Sequence, residues 1–182
     1  MLVPRLLRLM VFGLGTLALS GGCHENVPEF PTDVLNLMAR YNQSGRHDDA
    51  IRVAQNWLNK NPEDYGMRAI FDEQIAMSFF MKVPNDASHK EEWIRQAVSY
   101  YDDYLSVYRK YHPLDLVPEH AGTGFEVAGD LSSIERCLYY GRALKVFAEP
   151  YDKDQKAFPA TPNFKEDSLK KVQDKLDRAG CK

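Results

Sequence analysis

The chain has 182 residues, 44% of them hydrophobic, with 23 basic against 26 acidic side chains and a formal charge of −3. That length suits one domain, and the hydrophobic content is enough for a core and excludes a mainly disordered chain. The negative balance argues against general affinity for nucleic acid or for anionic lipid headgroups.

At the start, Arg5 and Arg8 precede an apolar run over 9–19 that is too short to span a bilayer comfortably, and Ser20, Gly21 and Gly22 lead into Cys23. This order reads as a secretory signal. The segment LSGGC resembles a bacterial lipobox, with Ser20 at the place usually held by leucine and Leu19 one position earlier. The resemblance implies a signal peptide over 1–22, cleavage before Cys23, acylation of Cys23 and membrane attachment through the lipid; an ordinary signal peptide cut nearby is the alternative. His24 after the cysteine, in place of Asp, resembles lipoproteins sorted to the outer membrane. Loss of 1–22 removes Arg5 and Arg8 and takes the formal charge from −3 to −5. Residues 23–31, with Pro28 and Pro31, read as a short tether, and 32–182 as a single helical domain.

The first helix is expected over 32–42, where Val34, Leu37, Met38 and Tyr41 recur at i, i+3, i+4 and i+7. Gly45 breaks it. A second helix is expected over 47–60, with Asp48 and Asp49 in its first turn and Ala50, Ile51, Ala54, Trp57 and Leu58 on one face, before Pro62 stops it. This hairpin resembles a tetratricopeptide repeat. In a 34-residue frame starting at Pro31, Tyr41, Gly45, Ala50 and Pro62 fall where that family prefers a tyrosine, a turn glycine, a small residue and a helix-ending proline.

A third, very apolar helix is expected over 65–82, then a turn-rich break over 83–89, then a long helix over 91–111 with Ile94, Ala97, Val98, Tyr101, Leu105 and Tyr108 inward. The segment 112–130 carries Pro113, Pro118, Gly122, Gly124 and Gly129 and reads as a long loop, either functional or plugging the helical stack with Leu114, Leu116, Val117, Phe125 and Val127. Asp130 or Ser132 is expected to cap a fifth helix to about 148, presenting Leu131, Ile134, Leu138, Ala143, Leu144 and Phe147. A proline-containing link over 151–163 leads to a last amphipathic helix over 164–179 with Leu169, Val172 and Leu176 inward. The expected fold is all-α: six principal helices in three stacked antiparallel pairs, which the repeat resemblance implies form a small tetratricopeptide-like right-handed solenoid.

Cys137 and Cys181 are the cysteines left after Cys23, and an exported chain with that even count is expected to pair them; two free thiols, with Cys137 buried, is the alternative. The closed loop would stabilise by roughly 4 kcal/mol in the chain-entropy treatment. The five histidines are scattered, without HExxH or CxxC spacing, so no metal site is read; nor is there a GxSxG elbow, P-loop or dinucleotide fingerprint, so no cofactor and no enzyme are expected. Glu119 and His120, with Asp115 nearby, suit acid–base chemistry or a solvated loop. Of the tyrosines over 100–111, Tyr101, Tyr104 and Tyr108 read as core, and Tyr100 and Tyr111 as exposed.

The expected function is a lipid-tethered envelope adaptor or scaffold that binds a segment of another envelope or secretion-system protein. The rival is an immunity or inhibitor lipoprotein that blocks an effector or enzyme, with a catalytic lipoprotein third. The repeat resemblance maps peptide recognition to Leu35, Ala39 and Asn42 on the first helix and to Glu73, Met77, Phe80 and Met81 on the third; burial of Met77, Phe80 and Met81 is the alternative. Leu35 and Ala39 replace the lysine and asparagine of chaperone-binding relatives, which implies an apolar or amphipathic partner segment. Cys23→Ser is expected to release the domain from membranes; fractionation that finds the variant as firmly bound as wild type, or a mature amino terminus without acyl chains, refutes the anchor.

Overall fold

The computed structural model describes residues 28–111, 118–149 and 164–181. Residues 1–22, Cys23, the 112–117 part of the expected loop with Asp115, and the 151–163 link lie outside the described residues. Among the described residues the chain is all-helical, with seven α-helices, one 3₁₀ turn and no strand: α1 (Pro31–Gln43), α2 (His47–Lys60), α3 (Tyr65–Lys82), the 3₁₀ turn Val83–Asn85, α4 (Lys90–Tyr111), α5 (Glu119–Leu131), α6 (Arg136–Ala148) and α7 (Phe164–Arg178).

The local reasons are those the sequence carries. Pro31 stands at the first position of α1, where its missing N–H costs nothing. Gly45 takes φ +74° between α1 and α2, and Arg46 N–H returns to the Tyr41 carbonyl at 2.8 Å, the bond that closes a helix end of this type. Asp64 caps α3 by accepting from Met67 N–H at 3.0 Å.

Consecutive helices pack on one another, most extensively α3 with α4 and α5 with α6, while α1 also meets α3 and α3 meets α5. On the other side, Gln55 of α2 donates to the Tyr100 hydroxyl of α4 at 2.7 Å, and Arg142 of α6 pairs with Asp102 of α4. α1, α3 and α5 are thus neighbours in one row, and α2, α4 and α6 are linked in another. Between the rows lie Phe71, Ile75, Ile94, Tyr101, Tyr104 and Phe125, each no more than 2% exposed. Trp57 is buried against Phe71 with ring centroids 5.0 Å apart.

Two expectations are corrected. The segment from Glu119 to Leu131 is a helix, not a loop, because its glycines are sites of close approach. A Cβ on Gly122 would lie 2.7 Å from the Phe147 ring, one on Gly124 2.2 Å from Tyr101, and one on Gly129 2.4 Å from Tyr140. α5 therefore sits close between α4 and α6, and the helix propensity lost at glycine, about 1 kcal/mol each, is offset by ring packing. Phe125 lies in the core at 1% exposure, while Val127 is half-buried.

The second correction concerns α6. Neither Asp130 nor Ser132 caps the helix: its N-cap is Glu135, and the helix begins only at Arg136 and turns Tyr139, Tyr140, Ala143, Val146 and Phe147 inward, while the Ser132 hydroxyl shapes the turn before it by accepting from Ile134 and Glu135 N–H at 3.2 and 2.9 Å. Ile134 and Leu138 are left 75% and 55% exposed, because α5 occupies the side that fixes which face is buried. Ser132 and Ser133 also bind the Glu91 carboxylate at 2.7 to 2.9 Å, which ties the α5–α6 turn to the start of α4.

α7 lies against α6, with Val172 fully buried. Buried Glu126 of α5 pairs with Lys171 at 2.7 Å and with Lys175, which also reaches Asp130 at 2.5 Å. The Cys137–Cys181 disulfide closes this end, with Cα atoms 5.5 Å apart.

Two glycine substitutions separate close packing from propensity. Gly124→Ala drives a methyl into the buried Tyr101 ring and is expected to lower stability by about 1–3 kcal/mol. Gly141→Ala, which meets nothing within 4 Å, is expected to be neutral or to stabilise by about 0.5–1 kcal/mol. Urea unfolding of both variants checks the pair; equal effects would refute the packing account.

Candidate functional site

The row formed by α1, α3 and α5 presents the residues expected to recognise a partner. Along α3, Glu73, Met77 and Met81 recur every fourth residue and so share one stripe. Met77 is 36% and Met81 41% exposed, uncommon exposure for large apolar side chains in this molecule. Phe80 is not part of that surface: it is 6% exposed and packs toward Tyr101 with centroids 6.1 Å apart, because residue 80 falls on the α4 side of the helix. On α1, Ala39 is exposed, while Leu35 is half-buried against the core.

Asn42 is half-buried and braces the fold. Its amide donates to the Ser78 hydroxyl of α3 at 2.9 Å, and its carbonyl oxygen meets His47 Nδ1 of α2 at 3.0 Å. Burial pushes the His47 pKa down, with Lys82 adding to the shift and Asp48 opposing it, so the neutral imidazole donating to Asn42 is the favoured form. Ser78 is fully buried and donates its own hydroxyl hydrogen bond to the Gln74 carbonyl at 2.9 Å.

A second brace joins α3 to α5. His120 Nδ1 lies 3.1 Å from Glu73 Oε2, and the imidazole stacks on Tyr104 with centroids 6.3 Å apart and planes 24° from parallel. The hydrogen bond to Glu73 raises the His120 pKa, against the opposing effect of burial. The structure thus gives His120 a carboxylate from α3, while its sequence neighbour Glu119 is turned into the protein at 7% exposure. Glu73 and His120 are engaged with each other across the α3–α5 seam, beside exposed Met77, Met81 and Ala39.

Asp72 belongs to no sequence motif. It is 4% exposed between α3 and α4, with Oδ2 buried and without a hydrogen-bond partner, and Nε of Arg68 one turn earlier is likewise buried and unpaired. Burial pushes the Asp72 pKa up to about 7, Asp103 of α4 adds to the rise, and Arg68 opposes it. The signal for Asp72 was present: it stands a turn before Ile75 and Ala76 and two before Phe79, on the stripe that α3 buries. An open cleft of about 700 Å³ lies elsewhere, lined by the turn from Lys60 to Gly66 and by Tyr111. Tyr111 is exposed as expected and stacks on Tyr65 at 4.1 Å, whereas Tyr100 is half-buried and held by Gln55. Among the described residues no group of three or more His, Cys, Asp or Glu side chains is placed to hold a metal ion, and no helix is long and apolar enough to cross a membrane.

No protein-family profile matches the chain, and no curated protein or solved structure matches it either.

The Asp72 carboxyl gives a pH test with a definite sign. Its folded pKa lies above the ordinary aspartate value, so the unfolded chain releases the proton first and stability falls as pH rises from the ordinary aspartate range to about 7. Asp72→Asn is expected to flatten that part of the stability profile in denaturant titrations between pH 4 and 8; an unchanged slope would refute the assignment.

Proposed function

We propose that this chain is a lipid-tethered interaction module of the bacterial envelope, an adaptor whose α1–α3–α5 face holds an apolar or amphipathic segment of another envelope or secretion-system protein. The observation that carries the reading is the exposure of Met77 and Met81 on a face braced from both sides by Asn42–Ser78 and His120–Glu73. A braced frame lowers the ordering cost of binding, and flexible, polarizable methionines adapt to different apolar side chains. The succession of packed neighbours α1/α2, α3/α4 and α5/α6, followed by α7, supports a tetratricopeptide-like right-handed solenoid of three antiparallel pairs with α7 as its terminal cap. The LSGGC segment supports acylation of Cys23 and an outer-membrane location.

An immunity or inhibitor lipoprotein would fit a polar, charge-complementary surface better. Here Glu73, on the same stripe as the methionines, is already engaged by His120, which favours the adaptor.

Met77→Asp combined with Met81→Asp tests the reading without touching the core. A photo-reactive side chain at residue 39, exposed on α1, cross-linked in native membranes, is expected to capture an envelope protein, and the double variant carrying the same side chain at 39 is expected to lose that partner while keeping the wild-type helical signal and melting temperature. Undiminished capture by the folded double variant refutes the proposed face.

A further inference from the structure

The end of the molecule where α6 begins carries a different chemistry. Cys137 is the second residue of α6, in a first turn whose opening is set by Ser132: its hydroxyl accepts from Ile134 and Glu135 N–H, and the first bond back along the helix is Tyr139 N–H to the Glu135 carbonyl at 3.1 Å. The N–H groups of Arg136, Cys137 and Leu138 therefore have no carbonyl within the helix and form its positive end. Cys137 is exposed, and Ile134 and Leu138 on either side of it in sequence are 75% and 55% exposed. Its partner follows Gly180, whose φ of +69° turns the chain back so that Cys181 N–H reaches the Leu176 carbonyl at 3.1 Å. One sulfur is thus fixed on a packed helix, and the other sits on the short turn that follows α7.

We propose that the Cys137–Cys181 disulfide is a thiol–disulfide exchange site for a dithiol oxidoreductase, with Cys181 as the sulfur that forms the mixed disulfide, Cys137 as the leaving and resolving thiolate, and Ile134 with Leu138 as the contact for the partner's apolar rim. A partner thiolate attacks Cys181 Sγ; the Cys137–Cys181 bond breaks and its electron pair leaves on Cys137 Sγ, where the open N–H groups of α6 stabilise the negative charge. The partner's second thiolate then attacks its own sulfur in the mixed disulfide and expels Cys181 as a thiolate, which takes a proton from solvent. The partner's dithiol has been oxidised to a disulfide and the chain's disulfide reduced to two thiols. Run in reverse with an oxidised partner, the same steps install the bond. The turn carrying Cys181 swings out with the partner, while α7 stays held by Lys171 and Lys175 on Glu126, by Lys175 on Asp130, and by buried Val172.

The test uses the full mature chain in its oxidised form and, as probe, a thioredoxin whose second active-site cysteine is replaced by serine, which traps the mixed disulfide. Peptide mapping is expected to find the adduct on Cys181. An adduct on Cys137 overturns the assignment of the leaving sulfur, and no adduct, under conditions where the probe couples to another exposed protein disulfide, overturns the site. Ile134→Ser with Leu138→Ser is expected to slow adduct formation about tenfold while leaving reduction by dithiothreitol unchanged. Equal rates with the probe, or equal slowing with both reagents, overturn the docking contact.

Discussion

The close seating of α5 is the constraint on which the remainder of the arrangement depends. Three glycines on a 13-residue helix admit the Tyr101 ring from α4 and the Phe147 and Tyr140 rings from α6. With any side chain in those places, α5 would have to move outward by the thickness of a methyl group or more. His120 would then leave Glu73, Ser132 and Ser133 would leave Glu91, and Glu126 would lose the lysines of α7, because each of these bonds reaches from α5 or its following turn to a different neighbour. Helix propensity is given up along α5, and a single register among four helices results.

Much of the fold was legible in the sequence because periodicity reports burial directly. The bounds of α2 and α3 follow from their apolar stripes and from Gly45 and the proline after α2, and Tyr101, Tyr104 and Tyr108 read as core because they share the buried side of α4. α5 was illegible for a physical reason: proline and glycine near a loop look the same as glycine placed for a ring, and only the neighbouring aromatic residues distinguish them. The misplaced start of the following helix is a consequence of that. Once α5 exists, α6 must turn Tyr139 and Tyr140 toward it, and Ile134 and Leu138 fall outside.

The candidate face was partly legible. A helical repeat of four residues places Met77 and Met81 with Glu73, and the structure leaves both methionines exposed. What the pattern does not report is the role of polar residues between helices. Asn42 reads as a contact residue by its position, yet both ends of its amide are engaged, with Ser78 on one side and His47 on the other. Pairing across 36 residues of sequence carries no local signal, and the same holds for Glu73 with His120 across 47.

These braces bear on what such a face can do. Each sits at a seam, Asn42–Ser78 between α1 and α3 and His120–Glu73 between α3 and α5, so the helices cannot separate there without giving up a side-chain hydrogen bond. The methionines lie between the seams and carry no such restraint. Their three rotatable side-chain bonds can rearrange on a frame that does not, which confines adaptation to the side chains that meet an apolar segment. On the adaptor reading proposed above, a partner is selected more by where its apolar groups fall along α3 than by charge, since Glu73 on that stripe is already engaged by His120.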